Sequence, residues 1–204
     1  MGNVAASISV SLDGFVAGPD DGPEHPLGVG GERLHEWIYG LESWRRQHGL
    51  TGGERNRDDE VLDEGFRNLG AAILGRRMFD NAREWGDDPP FRIPAFVLTH
   101  EARETLERGD ATFHFVTDGI GSAVTQAKAA AGDKDVIVAG GASTIGQVLE
   151  AGLLDELQLH VVPVLLGGGV RLFEHLDGTP IELENTRVIE SPAVAHLRYR
   201  VVKA

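Results

Sequence analysis

Val136–Ala151 reads VIVAGGASTIGQVLEA. Val136, Ile137 and Val138 are β-branched, Gly140-Gly141 is a glycine pair, and Ala142, Ser143 and Thr144 are small or hydroxylated. Ile145, Val148 and Leu149 then recur at helical spacing before Gly152. The pattern predicts a buried strand, a tight turn and an amphipathic helix. A helix start carries unpaired N–H groups and partial positive charge, which suit an anion such as phosphate. Glycine lets a phosphate approach the backbone closely. Such a turn also occurs where glycine serves packing alone, and the residues by themselves leave the two uses evenly matched. Neither a Gly-Lys-Ser/Thr ending nor G-x-G-x-x-G is present. The pattern therefore leans towards the diphosphate bridge of a dinucleotide rather than a nucleoside triphosphate.

Outward from this unit, strands and helices alternate. A helix is predicted from Asp118 or Gly119 through Ala131, with Val124 and Ala127 inward and Gly132 as its stop. Before it, Ala71–Leu74, Ala95–Thr99 and Thr112–Val116 read as strands, and Ala102–Arg108 as a helical turn. Val61, Leu62, Phe66 and Leu69 give a helix that starts at Asp58-Asp59 and ends at Gly70. Gly18–Asn56 is irregular and rich in Pro and Gly. Within it Leu34, Trp37, Ile38, Leu41 and Trp44 form a helical stripe weakened by Gly40. Val4–Leu12 alternates as a strand and ends at Asp13-Gly14. After Gly152, Glu156–Val162 alternates again, and Gly167-Gly168-Gly169 makes a loop. Glu182–Glu190 and Ala193–Val202 form a hairpin joined near Ser191-Pro192. The expected architecture is α/β: a mostly parallel mixed sheet, helices on both faces and an antiparallel C-terminal hairpin. One domain over 1–204 is expected, with an irregular insertion at about 18–57.

Composition narrows the function. The chain has 204 residues, 32 acidic against 19 basic, and a net charge of −13. That balance argues against a nucleic-acid footprint. With no cysteine, thiol catalysis and cysteine-ligated metals are excluded. No apolar run reaches the roughly 18 residues of a membrane span, and no secretory signal is visible. A cytoplasmic protein is the expectation.

Individual residues admit two uses each. Asp13 ends the first strand, where α/β proteins place ligands, yet Asp-Gly is also a common turn pair, and the turn is favoured. Arg76 and Arg77 follow Gly75 and can hold a phosphate or serve as surface counter-charges. Trp37 and Trp44 can cover a flat ligand or a partner, or pack on the core. His160 and His196 read as solvated side chains on exposed strand faces. His35-Glu36 lacks the second histidine of H-E-x-x-H, and no G-x-S-x-G elbow exists. No metal site is expected. Asp20-Asp21, Asp58-Asp59 and Asp87-Asp88 are sequence neighbours that do not face each other as a glycosidase pair would.

Taken together, five segments resemble the dihydrofolate reductase-like fold, specifically the RibD C-terminal domain, the reductase domain of bacterial riboflavin biosynthesis. They are ISVSLDGFVAG (Ile8–Gly18), ILGRRMF (Ile73–Phe79), FVLTH (Phe96–His100), VIVAGGASTIGQVLEAGLL (Val136–Leu154) and DELQLHVVPVLLGGGVRLF (Asp155–Phe173). The resemblance implies a three-layer fold and an NADPH-dependent reductase acting on a small heterocyclic, carbonyl or imine substrate. Gly140 and Gly141 would take the pyrophosphate, with Ala142, Ser143, Thr144 and Ile145 lining that site. Gly75, Arg76, Arg77 and Met78 would lie near the 2′-phosphate, where relatives often have Thr in place of Met78. Thr99 and His100 would flank the adenosine. Ala6 would meet the carboxamide, and Val16 and Ala17 would close over the nicotinamide. Asp13 would orient or protonate the substrate, beside a wall to which Trp37, Trp44, Trp85 and Phe91 are candidates. The resemblance also implies a homodimer through the C-terminal strands. Two other readings are a non-catalytic NADPH-binding protein and a true dihydrofolate reductase, with its acid among Asp58, Asp59, Asp63 and Glu64. The Gly18–Asn56 stretch departs from the biosynthetic reductases, and no clear basic cluster for a substrate phosphate is found beyond Arg33, Arg45 and Arg46.

Overall fold

A computed structural model describes residues 2–86, 89, 91–174 and 176–203. The β-branched and alternating segments become eleven strands among these residues: β1 Val4–Ser11, β2 Phe15–Ala17, β3 Leu69–Gly75, β4 Ala95–Leu98, β5 Leu106–Arg108, β6 Ala111–Val116, β7 Asp135–Gly140, β8 Glu156–Val162, β9 Val170–Arg171, β10 Leu183–Glu190 and β11 Ala195–Val201. Nine form one sheet in the order β10-β11-β8-β1-β7-β3-β4-β6-β5, and β2 pairs with β9 apart from it. The six central strands, β8 to β6, run parallel. Antiparallel pairing is confined to the two edges: the β10–β11 hairpin with β8, and β5 with β6. This is the mostly parallel mixed sheet with a C-terminal hairpin that the sequence predicts.

Alternation along the strands sorts the core. Ala71 and Ile73 face a cluster with Val136, Val138, Ile145 and Val148. It lies under helices α5 (Ile120–Ala131) and α6 (Ala142–Glu150), which pack on β3 and β7. Ala72 and Leu74 face the other way, against Phe79, Val97 and Phe113. Phe79 belongs to α4 (Arg76–Asn81) on that second face. The same face carries α1 (Glu36–Tyr39) and α3 (Arg57–Arg67), joined to β1 and β11 through Trp37–Ser9 and Asp58–His196, with α2 (Glu42–Gln47) packed on α3. Helices therefore cover both faces, as buried parallel strands require.

Three local expectations are corrected. The Leu34–Trp44 stripe is broken: a single turn at Gly31–Leu34 precedes α1, and Gly40 separates α1 from α2. The glycine's low helix propensity divides the run. Gly70 is a β3 residue, not a helix cap; α3 ends at Asn68. A Cβ at Gly70 would lie 2.8 Å from the Ala131 Cα, so its role is close approach to α5. Ala102–Arg108 holds no helix: Leu106–Arg108 is an edge strand on β6. At the start of α3, the Asn56 side chain accepts from the Asp59 amide at 3.0 Å and caps the helix.

A cleft between two parting strands

β1 pairs with β7 only over Val4–Ala6, then continues along β8 alone to Ser11. Beyond Ala6 the carboxyl ends of β1 and β7 part. In an open α/β sheet such a crevice is where ligands bind. Here it opens into a cleft of about 740 Å³, lined by Ile8 on one strand and Ala139 and Gly140 on the other.

The Gly140–Gly141 turn forms the floor. Its peptide is cis, and Gly140 has φ 129°, a conformation that side chains rarely adopt. The Gly141 carbonyl accepts from the Thr144 and Ile145 amides at 3.0 and 3.2 Å and starts α6. Ala142, Ser143 and Thr144 line the cleft, as do Thr117 and Gly119 at the start of α5. Two helix N-termini thus border one space, and their dipoles favour an anion there. Gly75 brings β3 against this floor: a Cβ there would lie 2.6 Å from the Thr144 Oγ1.

Gly75, Arg76, Arg77, Met78, Thr99 and His100 line the adjoining wall. Both arginines are already paired. Arg76 Nε donates to both carboxylate oxygens of Asp80 at 2.8 and 2.9 Å, and Nη1 reaches Glu101 at 3.4 Å. The Asp80 carboxylate beside it raises the Arg76 pKa further above its usual value. Arg77 donates to Asp21, whose second oxygen accepts from Asn81 Nδ2 at 2.9 Å. Asp21 comes from the 18–57 segment, so that segment is tied to α4.

The facing wall is apolar. Val16 and Ala17 of β2 and Val170 of β9 line it with Pro26 and Leu27. His35 is the one titratable side chain the 18–57 segment adds besides Asp21. Burial holds its imidazole down at about 4. Nδ1 is fully buried with no hydrogen-bond partner.

Most residues expected to hold a cofactor are therefore brought together, but not all. Ala6 is wholly buried in the sheet, at the last β1–β7 pair. Ile145 points into the core. Asp13 is not on the cleft wall. Its Oδ1 accepts from the Ser11 hydroxyl at 2.6 Å and the Leu166 amide at 3.1 Å, and its Oδ2 from the Gly167 amide at 2.7 Å. The Ser11 hydrogen bond, aided by the two amides, lowers its pKa to about 2. The expected place of Asp13 beside the substrate is corrected by geometry: its carboxylate anchors the 164–171 loop to the β1–β2 turn and does not line the cleft.

Trp37 is corrected likewise. Its Nε1 donates to Ser9 Oγ at 3.0 Å, and its ring lies 4.9 Å from that of His160, behind β1. Trp44 packs against His48 in a tilted pair, and Trp85 packs with Phe79, Phe91 and Phe113. None of these aromatics lines the cleft. Asp87-Asp88 lies outside the described residues.

The expectation that His160 and His196 are solvated is overturned. They are 5% and 2% exposed and form a chain. Ser7 Oγ meets His160 Nε2 at 2.9 Å, the two Nδ1 atoms lie 2.7 Å apart, and His196 Nε2 lies 2.9 Å from Asp58 Oδ1. One proton arrangement satisfies every link with both rings neutral. Ser7 donates to His160, His160 Nδ1–H to His196, and His196 Nε2–H to Asp58. Asp58 also accepts from Ser191, and Asp59 from the Ser43 amide at 2.7 Å. Neither aspartate lines the cleft.

A sequence profile of the RibD C-terminal domain matches residues 3–195. Among solved structures, a Shewanella sp. PV-4 protein named for riboflavin biosynthesis is similar, with a TM-score of 0.70, 20% identity, and coverage of 98% of this chain and 99% of that one. A Thermotoga maritima diaminohydroxyphosphoribosylaminopyrimidine deaminase/5-amino-6-(5-phosphoribosylamino)uracil reductase aligns at TM-score 0.62 and 13% identity, over 98% of this chain and 57% of that one. Dihydrofolate reductase from Enterococcus faecalis, complexed with NADP(H), aligns at TM-score 0.56 and 13% identity, over 98% and 96% of the two chains. These likenesses establish the dihydrofolate reductase-like fold.

Proposed function

The chain belongs to the RibD C-terminal domain family, and we propose that it is a single-domain, cytoplasmic, NADPH-dependent reductase of a small heterocyclic, carbonyl or imine substrate. The observation that carries this reading is the composition of this cleft: two helix N-termini and two arginines on one side, an apolar wall on the other. A dinucleotide needs an anion cradle joined to an apolar slot for its ring, and the residues fit both.

In this reading Gly141, Ala142 and Ser143 hold the pyrophosphate through the open start of α6. Arg76 and Arg77 meet the 2′-phosphate by exchanging Asp80, Glu101 and Asp21 for it. Thr99 and His100 border the adenosine. Val16, Ala17 and Val170 exclude water from the nicotinamide, and Ile8 supports it from β1. NADPH, when bound, supplies the hydride; the chain supplies position and a dry, ordered site. Asp13 does not line the cleft, so in this reading the proton comes from solvent, and the Asp13 anchor fixes the β9 part of the wall. A homodimer through β10 accompanies this reading, because β10 is an edge strand with Leu183 and Val188 exposed.

The test is NADPH titration by fluorescence, followed by absorbance at about 340 nm, the nicotinamide band, against pterins, diaminouracils and quinones. Tight binding with oxidation by one acceptor supports a reductase. Binding with no oxidation by any acceptor supports a non-catalytic NADPH-binding protein. No binding overturns both.

A further inference from the structure

His35 is a cleft residue whose ring has no hydrogen-bond partner among the described residues. Its Nδ1 is enclosed by protein, where water cannot compensate it. An enclosed N–H without an acceptor costs more than an enclosed lone pair. The proton is therefore placed on Nε2, the ring nitrogen that is not enclosed in this way. The apolar residues of this wall are Val16, Ala17, Pro26, Leu27 and Val170, which offer a ligand shape but no side-chain hydrogen bond, and the Asp21 carboxylate is taken up by Arg77 and Asn81.

Charge on the cleft wall points the same way. The arginines among its lining residues are Arg76 and Arg77, both on α4 and both matched by carboxylates. The arginines of the 18–57 segment do not line it. Arg33 pairs with Glu36, Arg46 with Asp63 and Arg55 with Glu42, while Arg45 donates to the Thr51 and Gly52 carbonyls. If Arg76 and Arg77 are spent on the cofactor, no lining arginine is left for a phosphate on the substrate.

We propose that His35 is the polar anchor of the substrate subsite, giving a neutral Nε2–H to a carbonyl oxygen or ring nitrogen of an uncharged heterocycle that carries no phosphate. This rests on the reductase reading for the identity of the neighbouring cofactor site. It distinguishes the chain from enzymes whose substrate bears a phosphoribosyl group.

The experiment uses the full chain, with and without saturating NADP⁺. The probes are pterin, 5-amino-6-(ribosylamino)uracil and the 5-phosphate of the latter, titrated by calorimetry. At least one uncharged probe is expected to bind about tenfold tighter than the phosphate, and His35→Ala to weaken it about tenfold, the size of one well-placed hydrogen bond. His35→Gln keeps an N–H near the Nε2 position and is expected to recover most of that loss, with NADP⁺ affinity unchanged in both variants. In ¹⁵N-histidine-labelled protein, Nδ1 of His35 is expected to be the unprotonated nitrogen. A tighter phosphate, a failure of both uncharged probes, an indifferent His35→Ala, or a protonated Nδ1 overturns the inference. Loss of NADP⁺ binding alone, with the His35 dependence intact, overturns the reductase reading instead.

Discussion

Acidification is expected to destabilise the protein through His160. Burial, then the neighbouring His196 and His35, lowers its imidazole from 6.5 to about 3. The ring also packs on Trp37 and accepts from Ser7, and Asp58 lies one link away through His196. A base depressed in the native state leaves stability intact above the unfolded value of 6.5 and removes it as pH falls towards the folded value. Over that window the unfolded chain takes up a proton that the native chain refuses. Each pH unit is worth about 1.4 kcal/mol once protonation of the unfolded form is complete. Moving from about pH 7.5 to about pH 5 therefore costs about 2 kcal/mol at this one residue. His35, lowered to about 4, and His196, lowered chiefly by burial, act in the same sense. Asp13, lowered to about 2, contributes little there, because an unfolded Asp with its ordinary value of 3.8 is still mostly ionised. Against a typical total of about 5–15 kcal/mol the loss is readable. The assay is urea unfolding across this pH range for the wild type and His160→Gln. The variant should lose close to one proton from the slope of stability on pH, whatever its absolute stability. A wild type with flat stability, or a variant with the full slope, refutes the reasoning.

Arg76→Ala is expected to weaken NADPH at least about tenfold, the scale of a lost charge-assisted contact, while NADH changes little. Equal losses in a fluorescence titration would remove the 2′-phosphate assignment. Asp21→Asn should release Arg77 and tighten NADPH by roughly two- to fivefold, the scale of an exposed ion pair; unchanged or weaker binding contradicts that competition. Gly140→Ala forces a side chain into φ 129° and should cost about 1–3 kcal/mol, seen as a lower Tm. Asp13→Ala should lower Tm and loosen Leu166 and Gly167 to hydrogen exchange, since it removes the acceptor of both amides. A collapse of kcat with unchanged Tm would instead return Asp13 to the chemistry.

The sheet was legible because hydrophobic period reports which residues share a face. Glu156–Val162 is a strand with the bounds its alternation gives. Gly140-Gly141 and Arg76-Arg77 were legible as local motifs, and they do border one cleft. Period does not report what covers a face. Gln158 and His160 alternate with Leu157 and Leu159, so His160 reads as solvated, yet Trp37 and the 18–57 segment seal it. That segment has no sustained period, because its turns are held by backbone contacts such as Gly18 N to the Leu27 carbonyl at 2.8 Å. The Asp13 contacts were hidden for a related reason. Its place in the chain suits a ligand, but its partners, Leu166 and Gly167, lie more than 150 residues away.

The serines of β1 connect these observations. In SISVSL (Ser7–Leu12), Ser7, Ser9 and Ser11 share a face, and alternation alone makes it a solvent face. Instead each hydroxyl is used inside the molecule: Ser7 with His160, Ser9 with Trp37, and Ser11 with Asp13 and the Phe15 amide. A buried hydroxyl without a partner is costly, so this face tolerates serine only because the 18–57 segment, β8 and the β1–β2 turn supply partners. The Trp37 bond to Ser9 fixes the segment two residues after His35, and Ile8, next to Ser9, is itself in the cleft. His35 is thus positioned against the opposite wall through one tryptophan and one strand, not through a free loop. Such a site can discriminate a hydrogen-bond acceptor from its absence, because an anchor held from behind cannot move to find another partner.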